Sequence, residues 1–135
     1  MDFASIRIIT GDVDRIVSFY ERATGLTAKR YTDDFAEIVT PSGTLALAGT
    51  RTVRGLGEQA PRPAANQSVI VEFRVADVDR EYDRIREFGI EIVNEPTTMP
   101  WGNRSLLLRD PDGNLLNFFA PVTPEAKRRY GQAGV

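Results

Sequence analysis

Gly11-Asp12-Val13-Asp14-Arg15-Ile16-Val17-Ser18-Phe19-Tyr20 follows directly on FASIRIIT, residues 3–10, and the two together define the unit from which the architecture is built. FASIRIIT alternates loosely and is rich in isoleucine, which suits a strand. Asp12 is a good N-cap, because its carboxylate accepts from backbone N–H groups that a first helical turn leaves unpaired. Asp14 adds negative charge to that turn, and Val13, Ile16, Val17 and Tyr20 recur at helical spacing until Gly25 stops the helix. A strand therefore passes straight into an amphipathic helix. Residues 27–31, 35–40 and 44–48 then read as short strands, the last two joined by the turn Pro41-Ser42-Gly43. The first half of the chain reads β-α-β-β-β.

The tetrapeptide at Asp12–Arg15 returns at Asp77-Val78-Asp79-Arg80, 65 residues later. Around it the plan repeats. SVIVEFRV at 68–75 is a strand, Asp77 caps a helix with Val78, Tyr82 and Ile85 on its inner face, and Gly89 ends it. Residues 91–95, 103–109 and 114–119 follow as strands. Before the last of them, Pro111-Asp112-Gly113-Asn114-Leu115 echoes Pro41-Ser42-Gly43-Thr44-Leu45. Two matches with one element order between them argue for a duplicated unit: an α+β protein of two βαβββ modules, 3–49 and 68–121, within a single domain spanning 1–135. Between them, residues 50–67 hold Gly55, Gly57, Pro61 and Pro63 and almost no apolar period, so they read as a linker, either a crossover or a functional loop. Thr123-Pro124-Glu125 opens a short helix reaching Tyr130, and the last five residues are expected to fray.

Composition closes several routes. With 135 residues, 41% of them apolar, the chain can build a real core. Its 17 basic and 19 acidic residues are mixed along the sequence, for a net charge of -2, which leaves no footprint for nucleic acid or an anionic membrane surface. No apolar run approaches the roughly 20 residues that cross a bilayer, and the N-terminus lacks a basic stretch followed by an apolar core, so a cytoplasmic protein is the expectation. There is no cysteine and no histidine. That excludes disulfides, thiolate catalysis and zinc-thiolate sites, and removes the commonest metal ligand and the one side chain that titrates near neutral pH.

Taken together, GDVDRIVSFYERATGL at 11–26, ADVDREYDRIREFGI at 76–90 and PWGNRSLLLRDPDGNLLNFF at 100–119 resemble the vicinal oxygen chelate superfamily. It includes glyoxalase I, extradiol dioxygenases, fosfomycin resistance enzymes and bleomycin-binding proteins. The resemblance covers roughly residues 3–121. It implies two βαβββ modules whose curved sheets enclose a cleft, commonly within a homodimer. In metal-dependent members a divalent ion is held from the first and last strands of each module, usually by His or Gln and Glu. Carried onto this chain, those positions are Ser5, Leu47, Ile70 and Asn117. Leucine and isoleucine cannot coordinate, serine is a poor ligand here, and an amide stands where a carboxylate is usual. The expectation is no metal and no cofactor, a departure from glyoxalase, dioxygenase and fosfomycin-type chemistry.

Alternate strand residues point to opposite faces. If Ser5 and Ile70 face the cleft, so do Arg7 and Glu72, while Ile6, Ile8, Val71 and Phe73 pack against the helices. Arg7 and Glu72 hold equivalent positions, so they either form a salt bridge between the sheets or bind polar groups of a ligand, Arg7 an anion and Glu72 a proton or amine. Trp101, between Pro100 and Gly102, is either a plug on the sheet rim or an aromatic wall for a planar ligand, and Arg104 can reach the same mouth. Phe35 and Phe119 are candidate wall residues or ordinary core. Asp110, Asp112 and Asn114 invite a calcium-loop reading, but DPDGN is a turn sequence that lacks the further carboxylates such a loop needs. Arg51, Arg54 and Arg62 read as a solvated basic loop.

The function expected is a metal-free protein that binds a small amphipathic or planar molecule through Ser5, Arg7, Leu47, Ile70, Glu72, Trp101, Arg104 and Asn117, similar to the bleomycin-resistance branch. The alternative is an enzyme, a cofactor-independent lyase, isomerase or hydrolase with Glu72 as general base and Arg7 or Arg104 stabilising an oxyanion. A metal-dependent glyoxalase-like enzyme is the third reading. Whether Glu72 is free or paired discriminates between them.

Overall fold

The computed structural model describes residues 1–130; the expectation for the last five lies outside that range. Its elements are β1 (Ile6–Thr10), α1 (Val13–Thr24), β2 (Lys29–Thr32), β3 (Phe35–Thr40), β4 (Gly43–Gly49), β5 (Ile70–Arg74), α2 (Val78–Ile85), β6 (Glu91–Thr98), β7 (Asn103–Arg109), β8 (Leu115–Pro121) and α3 (Pro124–Tyr130). The strands form two four-stranded mixed sheets, ordered β1-β4-β3-β2 and β5-β8-β7-β6. The architecture is α+β, two βαβββ modules. The chain divides into two compact units, one of residues 1–67 with 111–113, the other of 68–110 with the remainder.

In the first unit Asp12 adopts extended backbone and its carboxylate accepts from Arg15 N at 3.0 Å, while Gly25 closes α1 in the left-handed region. The apolar face of α1, Val13, Ile16, Val17, Tyr20 and Ala23, is buried. It packs on β3 and β4 against the side holding Ala36, Ile38, Leu45 and Leu47. The direction is fixed at Gly49, where an added Cβ would lie 3.3 Å from Val13 Cγ2. Each fully buried aliphatic side chain here contributes about 1.5–3 kcal/mol relative to exposure.

Residues 50–59 are not the structureless linker that their composition suggests. They wind into 3-10 turns, broken at Gly57 with φ +59. The reason is one apolar anchor: Val53 is buried with Ile9 and Ala48, and Phe35 and Ala60 pack against that cluster. Ile9, Ala48 and Phe35 share the sheet face opposite α1, so this segment covers part of that face.

The second unit repeats the local chemistry. Asp77 caps α2 by accepting from Arg80 N at 3.1 Å, and after one 3-10 turn Gly89 ends the run in the left-handed region. Val78 and Ile85 are buried, and α2 packs over β6, β7 and β8, the side that carries Leu106, Leu108, Leu116 and Phe118. The ring of Phe73 meets Phe118 edge-on at 5.8 Å. At the far end, α3 is held by the β6–β7 hairpin: the Gly102 carbonyl accepts from Val122 N and Thr123 N at 2.9 and 3.2 Å.

The two P-x-G-x-L sequences do not occupy matching places. In the first unit Thr40 pairs with Gly43, leaving Pro41-Ser42 as a two-residue turn. In the second Arg109 pairs with Leu115, and the loop between them is closed by buried Asp110, which accepts from Asn114 N at 2.9 Å and Asn114 Nδ2 at 2.7 Å. Asp110, Asp112 and Asn114 are thus part of a turn, as DPDGN reads. The longer loop shifts the strand that follows by one position relative to the motif, and this decides the face on which Leu47 lands.

Candidate functional site

In the second unit, β5 and β8 run parallel with Ile70 opposite Leu115, Glu72 opposite Asn117 and Arg74 opposite Phe119. All six residues lie on the sheet face away from α2, because their neighbours Leu116 and Phe118 lie beneath that helix. Asn117 Nδ2 donates to Glu72 Oε2 at 2.8 Å. Within its own unit, then, Glu72 is neither free nor ion-paired: an amide orients its exposed carboxylate. The other amide atom, Asn117 Oδ1, is buried and has no partner among the described residues.

One step further along β5, Arg74 is half-buried. Its Cζ lies 5.7 Å from the Tyr130 ring centroid, its Nη1 donates to the Tyr130 carbonyl at 3.4 Å, and its buried Nε has no partner among the described residues. The rings of Phe119 and Tyr130 meet at 5.4 Å. Asn103, 7% exposed, approaches the Tyr130 hydroxyl through Nδ2 at 3.4 Å, and its Oδ1 is a third buried atom without a partner. Buried polar atoms are ordinarily satisfied, so three atoms on one face without a partner among the described residues stand out.

Sequence parity placed Glu72 on this face but stopped there. Arg74 follows from the same alternation two residues on; Tyr130 and Asn103 had no local signal, since they arrive through α3 and the β6–β7 hairpin. Ile70, 47% exposed, opens the same face. Phe119 lies on it too, half-buried.

The remaining candidates are distributed differently. Arg7, in the first unit, is exposed at the edge strand β1 on the face away from α1, in a row with Ala46, Glu37 and Lys29. Ser5 is exposed and precedes β1. Tyr31 shares Glu37's neighbourhood: the hydrogen bond to that carboxylate raises the phenol's pKa above its ordinary value. Leu47 is a correction. It is fully buried, pairs with Ile8 and faces α1, so it is the counterpart of Phe118, which pairs with Phe73; the register counterpart of Asn117 is Ala46. Trp101 sits 61% exposed at the tip of the β6–β7 hairpin.

Arg104 shares the parity of Leu106 and Leu108 and so points to the α2 side, where its Nε and Nη2 grip Asp79 Oδ2 and Oδ1, both at 2.8 Å. This fork holds the Asp79 carboxyl below its ordinary 3.8, chiefly through the hydrogen bond from Arg104, and raises Arg104 in turn. A depressed carboxyl pKa stabilises the fold above its unfolded value, and that contribution is lost as pH falls through the folded value, hence below about pH 4. Arg104→Gln should therefore lower the urea midpoint at about pH 6 and lower it less at about pH 3. An equal deficit at both pH values would disprove the linkage.

The donor set does not fit the divalent ion that the family resemblance implies. Ile70 is aliphatic, Leu47 is turned away with alanine in its place, and Asn117 offers only one neutral amide oxygen, its nitrogen being bound to Glu72. Among the described residues no three His, Cys, Asp or Glu side chains converge. Nor is any helix there long and apolar enough to cross a membrane.

The profile of the glyoxalase/bleomycin resistance protein/dioxygenase superfamily matches residues 2–118. A Bacillus subtilis protein, the uncharacterized YraH, is 26% identical over 125 residues, 88% of this chain and 98% of that one. The crystal structure of a glyoxalase/bleomycin resistance protein/dioxygenase from Nocardioides superposes with a TM-score of 0.77 at 26% identity, covering 99% of this chain and 90% of that chain. A lactoylglutathione lyase from Agrobacterium tumefaciens, 20% identical, shares the fold with a TM-score of 0.68 over 88% of this chain and 92% of its own.

Proposed function

Because the chain belongs to the glyoxalase/bleomycin resistance protein/dioxygenase superfamily, we propose that it serves as a metal-free member that binds a small planar or amphipathic molecule, as a cytoplasmic homodimer with a resistance or sequestration role. The observation that carries this reading is the face of the second sheet away from α2. There the oriented Glu72 carboxylate and the orphan atoms of Asn117, Arg74 and Asn103 stand beside the tilted ring pair of Phe119 and Tyr130. An apolar wall with a few convergent polar groups is the usual make-up of a small-molecule site, and sequestration asks for neither histidine nor metal.

The test is a thermal-shift panel of planar and amphipathic compounds, run with and without chelator. At least one class should raise the melting temperature by several degrees, equally in both conditions, because a ligand at a hundred times its Kd stabilises by about 2.7 kcal/mol. Asn117→Ala should weaken that shift. A panel with no response, or a response that chelator abolishes, would refute the proposal.

A second reading rests on Glu72. Its carboxylate is exposed and held in one orientation by a neutral donor rather than by a cation, which suits a general base in a lyase or isomerase. Turnover of a bound compound that Glu72→Gln abolishes without weakening its binding would favour this second reading over sequestration.

A further inference from the structure

We infer that the ligand is an aromatic carboxylate with a hydrogen-bond donor at its opposite end, its carboxylate on Arg74 and its donor on Glu72. This inference rests on the binding role proposed above and names the chemistry of what is bound.

A half-buried guanidinium ordinarily finds a carboxylate, because a desolvated charge is expensive unless paired and hydrogen-bonded. Among the described residues Arg74 has no acidic partner. It meets the Tyr130 ring at 5.7 Å and the Tyr130 carbonyl at 3.4 Å, at the outer limit of a hydrogen bond, and its Nε has no partner there. A carboxylate presented to the fork would replace that weak contact with two parallel charge-assisted bonds, the geometry arginine is built for.

Spacing and surroundings then fix the rest of the molecule. Glu72 and Arg74 are two positions apart on one strand, so their side chains leave the sheet about 6.6 Å from each other on one face. That separation matches one aromatic ring with substituents at its two ends. Phe119, opposite Arg74 across the ladder, and Tyr130 supply flat surfaces for the ring. At the other end Glu72 is acceptor-only when ionised, and Asn117 Oδ1 adds a second acceptor beside it. Two acceptors call for an amine or a hydroxyl. The charges are complementary along the ligand: anion at Arg74, donor at Glu72.

Three probes of one size separate the contributions: para-aminobenzoate carries both groups, para-toluate lacks the donor, and para-toluidine lacks the carboxylate. By calorimetry para-aminobenzoate should bind tightest. Arg74→Gln should weaken para-aminobenzoate and para-toluate by roughly ten- to a hundred-fold, the range of a charge-assisted hydrogen bond, and leave para-toluidine unchanged. Glu72→Gln should weaken para-aminobenzoate and para-toluidine and leave para-toluate unchanged. Should Arg74→Gln fail to fold, Arg74→Lys keeps the charge without the fork and should lose a smaller part of the carboxylate preference. Equal affinity for para-toluidine and para-aminobenzoate, or carboxylate binding indifferent to both Arg74 variants, would overturn the inference. If uncharged planar compounds bind while these carboxylates do not, this inference falls and the binding role stands. If neither binds, both fall.

Discussion

Leu47→Asn is expected to lower the stability of the protein by roughly 3–5 kcal/mol, a large fraction of what a domain of this size possesses. Leu47 has no exposed surface and packs on the α1 side of its sheet beside Ala36, Ile38 and Leu45. Asparagine there forfeits the leucine's burial and places an amide among aliphatic groups that offer it no partner. Its sequence-motif counterpart should behave in the opposite way. Asn117→Leu, on the half-buried face away from α2, removes one hydrogen bond to an exposed carboxylate and should cost about 1 kcal/mol or less. Urea denaturation followed by circular dichroism measures both. If Leu47→Asn lies within about 1 kcal/mol of the parent, Leu47 does not face the helix and the register described for β1 and β4 is wrong.

Gly102→Ala is the second substitution with a large expected effect, about 3 kcal/mol. Two terms add. The backbone at Gly102 has φ +96, a conformation that L side chains rarely adopt, and a Cβ there would fall 2.1 Å from Thr123 Oγ1 and 3.0 Å from Ala126 Cβ. The strain alone is about 1–2 kcal/mol. The clash adds to it, because Thr123 Oγ1 is not free to swing aside: it accepts from Ala126 N at 3.2 Å and caps α3, a bond worth about 1 kcal/mol. Gly89→Ala separates the terms, since Gly89 also has positive φ but nothing lies within 4 Å of its missing Cβ. It should lose only the strain. Thr123→Ala combined with Gly102→Ala should be less destabilising than the sum of the two. Equal losses for Gly89→Ala and Gly102→Ala would show that the hairpin and α3 are not clamped together.

What could be read from the chain, and what could not, divides along a physical line. Helix starts are local: Asp12 and Asp77 cap their own first turns, and Gly25 and Gly89 end the helical runs in left-handed backbone, so both β-α passages were legible residue by residue. Strand faces within one strand are also local, and the alternation that set Glu72 apart from Val71 and Phe73 holds. Register between strands is not local. It is set by the number of residues in the intervening turn, and two similar pentapeptides close turns of different length, so Leu47 was carried to the wrong face. The 3-10 turns after β4 were hidden because one buried residue, Val53, organises a segment otherwise polar and glycine-rich. Arg104 lies near Trp101 in sequence, which suggests a shared ligand mouth; in β7 alternation puts it on the side of Leu106 and Leu108, and the side chain meets Asp79 instead.

The exposure of Trp101 has a practical side for every experiment above. The only indole of the molecule is already largely in water when the chain is folded, so its emission will hardly change colour as the fold melts. Intrinsic fluorescence is thus a poor thermometer for the whole protein.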